Sequence, residues 1–258
     1  YAKHCRCYSA SHTPQSLSRT YTPPTSPTPP PPPSASPRAP PSPSTSPASP
    51  PQYGIETLSI HAGARPEPVT GARNTPIYQT TSYVFEDAEH AADLFNLQTF
   101  GFIYSRLTNP TVAVLEERMA ALEGGRAAVC AASGHAVQFL AFFTLLEPGD
   151  EFISSLNLYG GSITQFGHSF KRLGWTCHFV DPTNPENFQK ALTPKCKAIF
   201  IEVLANPGGI VLDVEPIVAI AREAGIPLIV DNTMATPYLC RPMEWGADLV
   251  VHSTTKFL

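Results

Sequence analysis

No acidic residue precedes Glu56. From 22 to 51 the chain is almost entirely proline, serine and threonine, with no large apolar side chain. Such a segment cannot bury enough surface to offset the entropy of ordering, so 1–52 is expected to be disordered. Acid-poor, serine-rich starts occur in organelle transit peptides, but dense proline opposes the amphipathic helix those need. A linker, a targeting segment and translated non-coding sequence all stay open. No run is long and apolar enough to cross a bilayer, and no basic n-region with an apolar core opens the chain as in a secretory signal. The expected location is cytoplasmic, with organelle targeting by 1–52 as the alternative. A net charge of −4 offers no basic surface for nucleic acid.

Cysteine is present but scattered: the six do not form the framework of a small disulfide-stapled domain. His4, Cys5 and Cys7 lie close together, but no second ligand pair follows at zinc spacing, so no metal site is expected. A G-x-G-x-x-G after the first strand is also missing, which removes the main support for a dinucleotide-binding domain. The chain opens on Tyr1 and stops at Leu258, two residues after a lysine motif. Those ends predict an incomplete sequence.

Ordered patterning begins near Tyr53. Residues 86–98 place Ala88, Ala91, Ala92 and Phe95 at helical spacing. Asn109-Pro110 opens a stronger helix, with Asn as N-cap and Pro at the first helical position. Val112, Leu115, Met119 and Leu122 are expected on its apolar side, and Gly124-Gly125 ends it. Strands are then expected at 127–131, 151–154, 175–180, 197–202, 227–230 and 248–251. Helices are expected at 134–146, 162–173, 185–192 and 216–224. Alternation of helices with uniformly apolar strands predicts an α/β fold, a mostly parallel sheet covered by helices on both faces.

In such sheets ligands bind beyond the carboxyl ends of the strands. The polar residues that follow strands are therefore the candidates: Ser133-Gly134-His135, Asn157 to Gly161, Asn206-Pro207, Asp231-Asn232-Thr233 and His252 to Lys256. A lysine delivered by a buried strand into an apolar site can attack an aldehyde, and Lys256 follows D-L-V-V-H-S-T-T. Ser253 and Thr255 beside it could hold a phosphate, although a lysine among hydroxyl residues is ordinarily just solvated. Asp231 ends L-I-V-D and could face a pyridinium nitrogen; a plain turn with Asn232 is the other reading. The amides of Gly134 and His135 open a helix, where anions bind. Tyr159 beside Gly160-Gly161 offers a ring for stacking.

Taken together, these motifs resemble those of the Cys/Met-metabolism family of pyridoxal-phosphate enzymes. The resemblance covers 56–258. It rests on E-T-L from Glu56, H-A-G from His61, T-G-A-R from Thr70, P-I-Y-Q-T-T-S-Y-V-F from Pro76 and E-H-A-A-D-L-F from Glu89. Tyr104-Ser105-Arg106, Asn109-Pro110-Thr111, L-Y-G-G from Leu158, D-N-T-M-A-T-P-Y from Asp231 and H-S-T-T-K-F from His252 complete it. The resemblance implies the large domain of an aminotransferase-like (fold type I) enzyme, incomplete at its C-terminus. Residues 53–110 would be an N-terminal arm contacting a neighbouring subunit, and 111–258 a truncated cofactor domain. Lys256 would form the Schiff base with pyridoxal 5'-phosphate, Asp231 would pair with the ring nitrogen, and Tyr159 would stack on the ring and serve catalysis with Lys256. Asn206 would lie near the ring hydroxyl. Ser253, Thr255 and the amides of Gly134 and His135 would hold the phosphate, and Thr233 would be a further cofactor-binding residue. Tyr104 and Arg106 would reach the neighbouring subunit's phosphate, which implies a homodimer or homotetramer.

His135, Thr254 and Met234 depart from the family's usual residues without removing a catalytic group. The resemblance would place glycines after the lysine and an arginine for the substrate carboxylate further on, neither of which is in 1–258. Similarity in 78–85 and 89–95 points to the sulfhydrylase branch. The implied activity is γ-replacement on O-acetylhomoserine by sulfide, giving homocysteine. A cystathionine β- or γ-lyase, a cystathionine γ-synthase, or an inactive fragment acting as an interaction module are the alternatives.

Overall fold

Five short strands pair into one parallel sheet in the computed structural model, which describes residues 53–258. The readings of His4, Cys5, Cys7 and the proline-rich segment lie outside the described residues. The strands are β1 (Glu151–Ser155), β2 (Thr176–Val180), β3 (Cys196–Glu202), β4 (Leu228–Asp231) and β5 (Leu249–Val251), in the order β2-β1-β3-β4-β5. Every neighbouring pair is parallel. The expected α/β architecture is therefore present.

Uniformly apolar strands follow from a sheet buried on both faces. Side chains alternate across the pleat, and the core divides accordingly. Ile153, Ile199, Ile201, Leu228 and Val230 join one cluster, with Phe188, Val214, Ile217 and Val218. Phe152, Ala198, Phe200, Ile229 and Val251 join the other, with Phe142, Phe166, Phe170 and Trp175. The first face is covered by α6 (Glu186–Lys190) and α7 (Val214–Ala224). The second is covered by α4 (Gly134–Leu145) and by α5 (Gly160–Thr164), which runs on through a π-helical stretch, Gln165–Ser169, and a 3-10 turn, Phe170–Leu173. The expected helix at 162–173 is thus one helical run of three geometries. Its wide turn brings Phe166 and Phe170 together, 5.3 Å between ring centroids, against Phe142 and Phe152.

The helix opened by Asn109 is α3 (Pro110–Glu123): the Asn109 side chain accepts from the Thr111 amide at 2.9 Å, and Gly124 closes it at φ 73°. Its expected apolar side needs correction. Leu122 is buried, but Val112 and Leu115 are exposed. Ahead of it stand α1 (Ile55–His61) and α2 (Ala88–Phe95), the latter capped by Asp87. Two short helices, α8 (Thr236–Leu239) and α9 (Pro242–Trp245), lead into β5.

One expected strand is absent: 127–131 belongs to no ladder. The segment is apolar and extended, but its Cys130 amide donates to the Glu116 carboxylate at 2.8 Å instead of to a strand, and Val129 is exposed. Apolar composition alone does not make a strand where no sheet edge is offered.

Candidate active site

Strand order reverses between β1 and β3. The chain leaving β1 enters α5 on one face, while the chain leaving β3 leads to α7 on the other. Loops that part in this way open a crevice at the carboxyl ends of the strands. The residues singled out from sequence gather there.

Asp231 ends β4 in register with Glu202 of β3 and Val251 of β5. One of its carboxylate oxygens accepts from the Thr233 amide at 2.9 Å, and the other from Gln138 Nε2 at 3.2 Å. Gln138 lies buried on α4 and also donates to Ser162 Oγ at 3.1 Å. The Asp231 carboxylate is thereby turned toward the α4 face. Thr233 Oγ1 accepts from the Ser253 amide at 2.8 Å, which joins the chain after β4 to the chain after β5.

Ser253 in turn lies against the start of α4. A Cβ placed on Gly134 would sit 3.0 Å from Ser253 Cβ, so a side chain there would press the serine back by a few tenths of an ångström. Ser133 caps α4 by accepting from the Ala136 amide at 3.1 Å. No hydrogen bond among the described residues takes the amides of Gly134 or His135. Two free amides at a helix N-terminus beside a serine hydroxyl make a cradle for an anion.

Tyr159 precedes α5 and is half exposed. The His135 ring lies 5.7 Å from its ring, the planes inclined by 31°. A Cβ on Gly161 would meet His135 Cε1 and Tyr159 Cε1 at 2.5 Å each, so that glycine admits both rings. The His135 side chain thus supports the tyrosine, while its amide points to the anion cradle.

The sequence reading overlooked Glu202, which is buried. It accepts from the Tyr159 amide at 2.7 Å and from the Asn206 amide at 3.2 Å, through different oxygens. Burial pushes its carboxyl up to about 7, against the pull of the Tyr159 amide; nearby Asp231 pushes the same way. Its signal was an acidic residue closing the apolar run A-I-F-I of β3. Glu123 was overlooked too, and with it the buried network it forms with Asn232 and His252. Asn232 Nδ2 donates to Glu123 Oε1 and to the Cys240 carbonyl, both at 2.8 Å, and His252 Nε2 lies 2.5 Å from the same Glu123 oxygen. This network seats the residues next to Asp231 and Ser253.

Thr254, Thr255 and Lys256 form an exposed turn, with the Lys256 amide returning to the Ser253 carbonyl at 3.2 Å. The lysine is close in sequence to the cradle but is not in the apolar surround expected for it. Tyr104 and Arg106 lie apart, the guanidinium 5.5 Å from the tyrosine ring centre. No hydrogen bond or ring contact among the described residues joins them to the strand ends. Gathered at the crevice, then, are Gly134, His135, Tyr159, Asn206, Asp231, Thr233 and Ser253. An anion cradle, a carboxylate at a strand end and an aromatic face, with an amine three residues beyond the serine, fit a flat phosphorylated pyridine aldehyde.

Comparison with known proteins agrees with this chemistry. Residues 56–258 match the family described as Cys/Met metabolism PLP-dependent enzyme. The chain is 51% identical over 203 residues to an O-acetyl-L-homoserine sulfhydrylase of Leptospira meyeri, covering 79% of this chain and 46% of that protein. It is 49% identical over 207 residues to a homocysteine/cysteine synthase of Saccharomyces cerevisiae, again 79% of this chain and 46% of that protein. In crystal structures, a Campylobacter jejuni protein assigned as an O-acetylhomoserine (thiol)-lyase, with N'-pyridoxyl-lysine-5'-monophosphate in its chain, superposes with a TM-score of 0.77 at 40% identity. That match covers 80% of this chain and 50% of that one. The chain thus spans about half the length of the relatives it matches.

Proposed function

We propose a function from one premise: the chain belongs to the Cys/Met metabolism PLP-dependent enzymes. It is the cofactor-holding part of an enzyme that replaces the acetate of O-acetylhomoserine with sulfide, yielding homocysteine and acetate. The observation that carries this reading is the meeting of Asp231, Ser253 and the free amides of Gly134 and His135 at one strand end. The substrates follow from relatives about half identical to this chain.

Pyridoxal phosphate, when bound, supplies an electron sink for the charge left at the substrate Cα. The amides of Gly134 and His135, with the hydroxyls of Ser253 and Thr255, hold the phosphate. Thr233 fixes Ser253 by accepting its amide. Asp231, oriented by Gln138, keeps a proton on the ring nitrogen by opposite charge. Tyr159 covers one ring face and Asn206 lies toward the ring hydroxyl. Lys256 Nζ would hold the cofactor aldehyde and would serve as general base toward the substrate Cα proton. The net exchange would break the Cγ–O bond, acetate leaving with the electron pair, and form a Cγ–S bond to sulfide.

The segment 53–110 serves as an arm onto a second copy, in which Tyr104 and Arg106 reach the neighbouring phosphate, and 111–258 is the cofactor domain. The pair is exposed, as that role requires. The test is spectroscopic. Pyridoxal phosphate added to the chain is expected to give a visible absorbance band that borohydride fixes to Lys256 by peptide mass, and Lys256→Ala is expected to abolish both. A band that survives in Lys256→Ala sinks the assignment. Homocysteine from O-acetylhomoserine and sulfide, rather than breakdown of cystathionine, then tests the substrate.

A further inference from the structure

Glu202 is a buried carboxylate at the strand ends that the proposed chemistry does not use. It stands where strand order reverses, and side chains alternate so that it shares the α4–α5 face with its register partner Asp231. It takes one amide from each lip of the crevice: Tyr159, on the loop after β1, and Asn206, on the loop after β3. These amides are 43 and 4 residues away in sequence, so nothing local joins the two lips. Each lip carries one residue that the proposed function assigns to the cofactor ring. Building the clasp from a buried carboxylate has a desolvation cost that a neutral residue would avoid.

We infer that Glu202 is a positioning residue: its carboxylate clasps the Tyr159 loop to the Asn206 loop, so that the ring-stacking and ring-hydroxyl contacts are set together. The role toward the cofactor rests on the proposed pyridoxal-phosphate site; the clasp itself does not. The ionised form accepts both amides more strongly than the protonated acid, in which one oxygen carries a proton and loses acceptor strength. With the carboxyl pushed up to about 7, the clasp closes as pH rises through neutrality and opens as it falls. Asp231 on β4 faces the same space, Tyr159 lies at the mouth of α5, and His135 on α4 packs on that tyrosine. All three are present in every variant compared, so the variants differ only at Glu202.

Two measurements decide it. Hydrogen exchange on the cofactor-free chain reads the clasp: Glu202→Gln and Glu202→Ala are expected to speed exchange at Tyr159 and Asn206 about tenfold at pH 8, with β1 and β3 amides unchanged. Unchanged exchange at both positions overturns the clasp. Exchange that rises throughout the sheet overturns it too, by showing a role in core stability alone. Titration with pyridoxal phosphate, read by visible circular dichroism, then tests the role toward the cofactor. The wild-type chain is expected to bind about tenfold more tightly than Glu202→Gln at pH 8 and about equally at pH 6. Glu202→Gln should behave at every pH as the wild type does at low pH. Equal affinity and equal dichroism at pH 8 overturn the positioning role while the clasp stands. A wild-type chain with protected amides that takes up no cofactor sinks the functional reading, and the positioning role with it.

Discussion

At the residue scale the site is made of polar groups placed by their neighbours. Asp231 is turned by Gln138, Ser253 is held by Thr233, and Tyr159 rests on His135. Glu202 adds a pH dependence of stability. Its folded-state value of about 7 lies above the usual carboxylate range near 4.3. A raised acid binds its proton more tightly in the folded chain, so its contribution is complete below about pH 4 and is lost as pH rises through about 7. The wild-type advantage over Glu202→Gln should therefore shrink by roughly 3 kcal/mol between pH 4 and 8. Thermal melts at several pH values check this, and a constant gap counts against it. The same proton that favours the fold loosens the two loops.

At the element scale, α3 packs on α1 and sends its end to the loops after β4 and β5. Its last residue, Glu123, is buried and takes hydrogen bonds from Asn232 after β4 and His252 after β5. Glu123→Ala would leave both without that acceptor. Unsatisfied buried groups each cost about 1–3 kcal/mol, so a loss of roughly 3 kcal/mol is expected, read as an earlier denaturant midpoint. A loss under about 1 kcal/mol would show that water replaces the carboxylate. The end of α3 was legible in sequence from Gly124, which takes the left-handed conformation. The network beyond it was not, because its partners are 109 and 129 residues away.

At the scale of the whole molecule, the described chain is uneven. The sheet and its helices bury two aromatic and aliphatic clusters. Between 53 and 110, by contrast, only Leu94 and Asn109 are buried. Val84 and Phe100 there are almost fully exposed, at 98% and 105% of the free side chain. Apolar surface gathered on one segment favours association. Sedimentation at micromolar concentration is expected to show a dimer or larger. Val84→Glu together with Phe100→Glu should shift it toward monomer while leaving the far-ultraviolet circular dichroism intact. A wild-type chain that sediments as a monomer would remove the arm from the interface. No helix among the described residues is long and apolar enough to span a membrane.

The sequence by itself determined whatever depends on neighbours along the chain. Apolar runs, the Asn109-Pro110 start, the Ser133 cap and the glycine stops follow from backbone sterics and short-range hydrogen bonds. They predicted the alternating helices and strands, and so a parallel sheet with a site at its carboxyl edge. Asp231, Tyr159, Ser253 and Gly134 were singled out as polar or small residues expected just after strands and, together, by resemblance to a family; for Gly134 the expected strand is not there. The same logic failed at 127–131, where an apolar segment meets no partner strand and Cys130 turns to Glu116. Only the tertiary structure decided which strand lies beside which, and so where the order reverses. That register brought Glu202 beside Asp231 and joined Gln138 to Asp231 across 93 residues. Pairing between distant segments depends on packing of the whole sheet, and no local spacing records it.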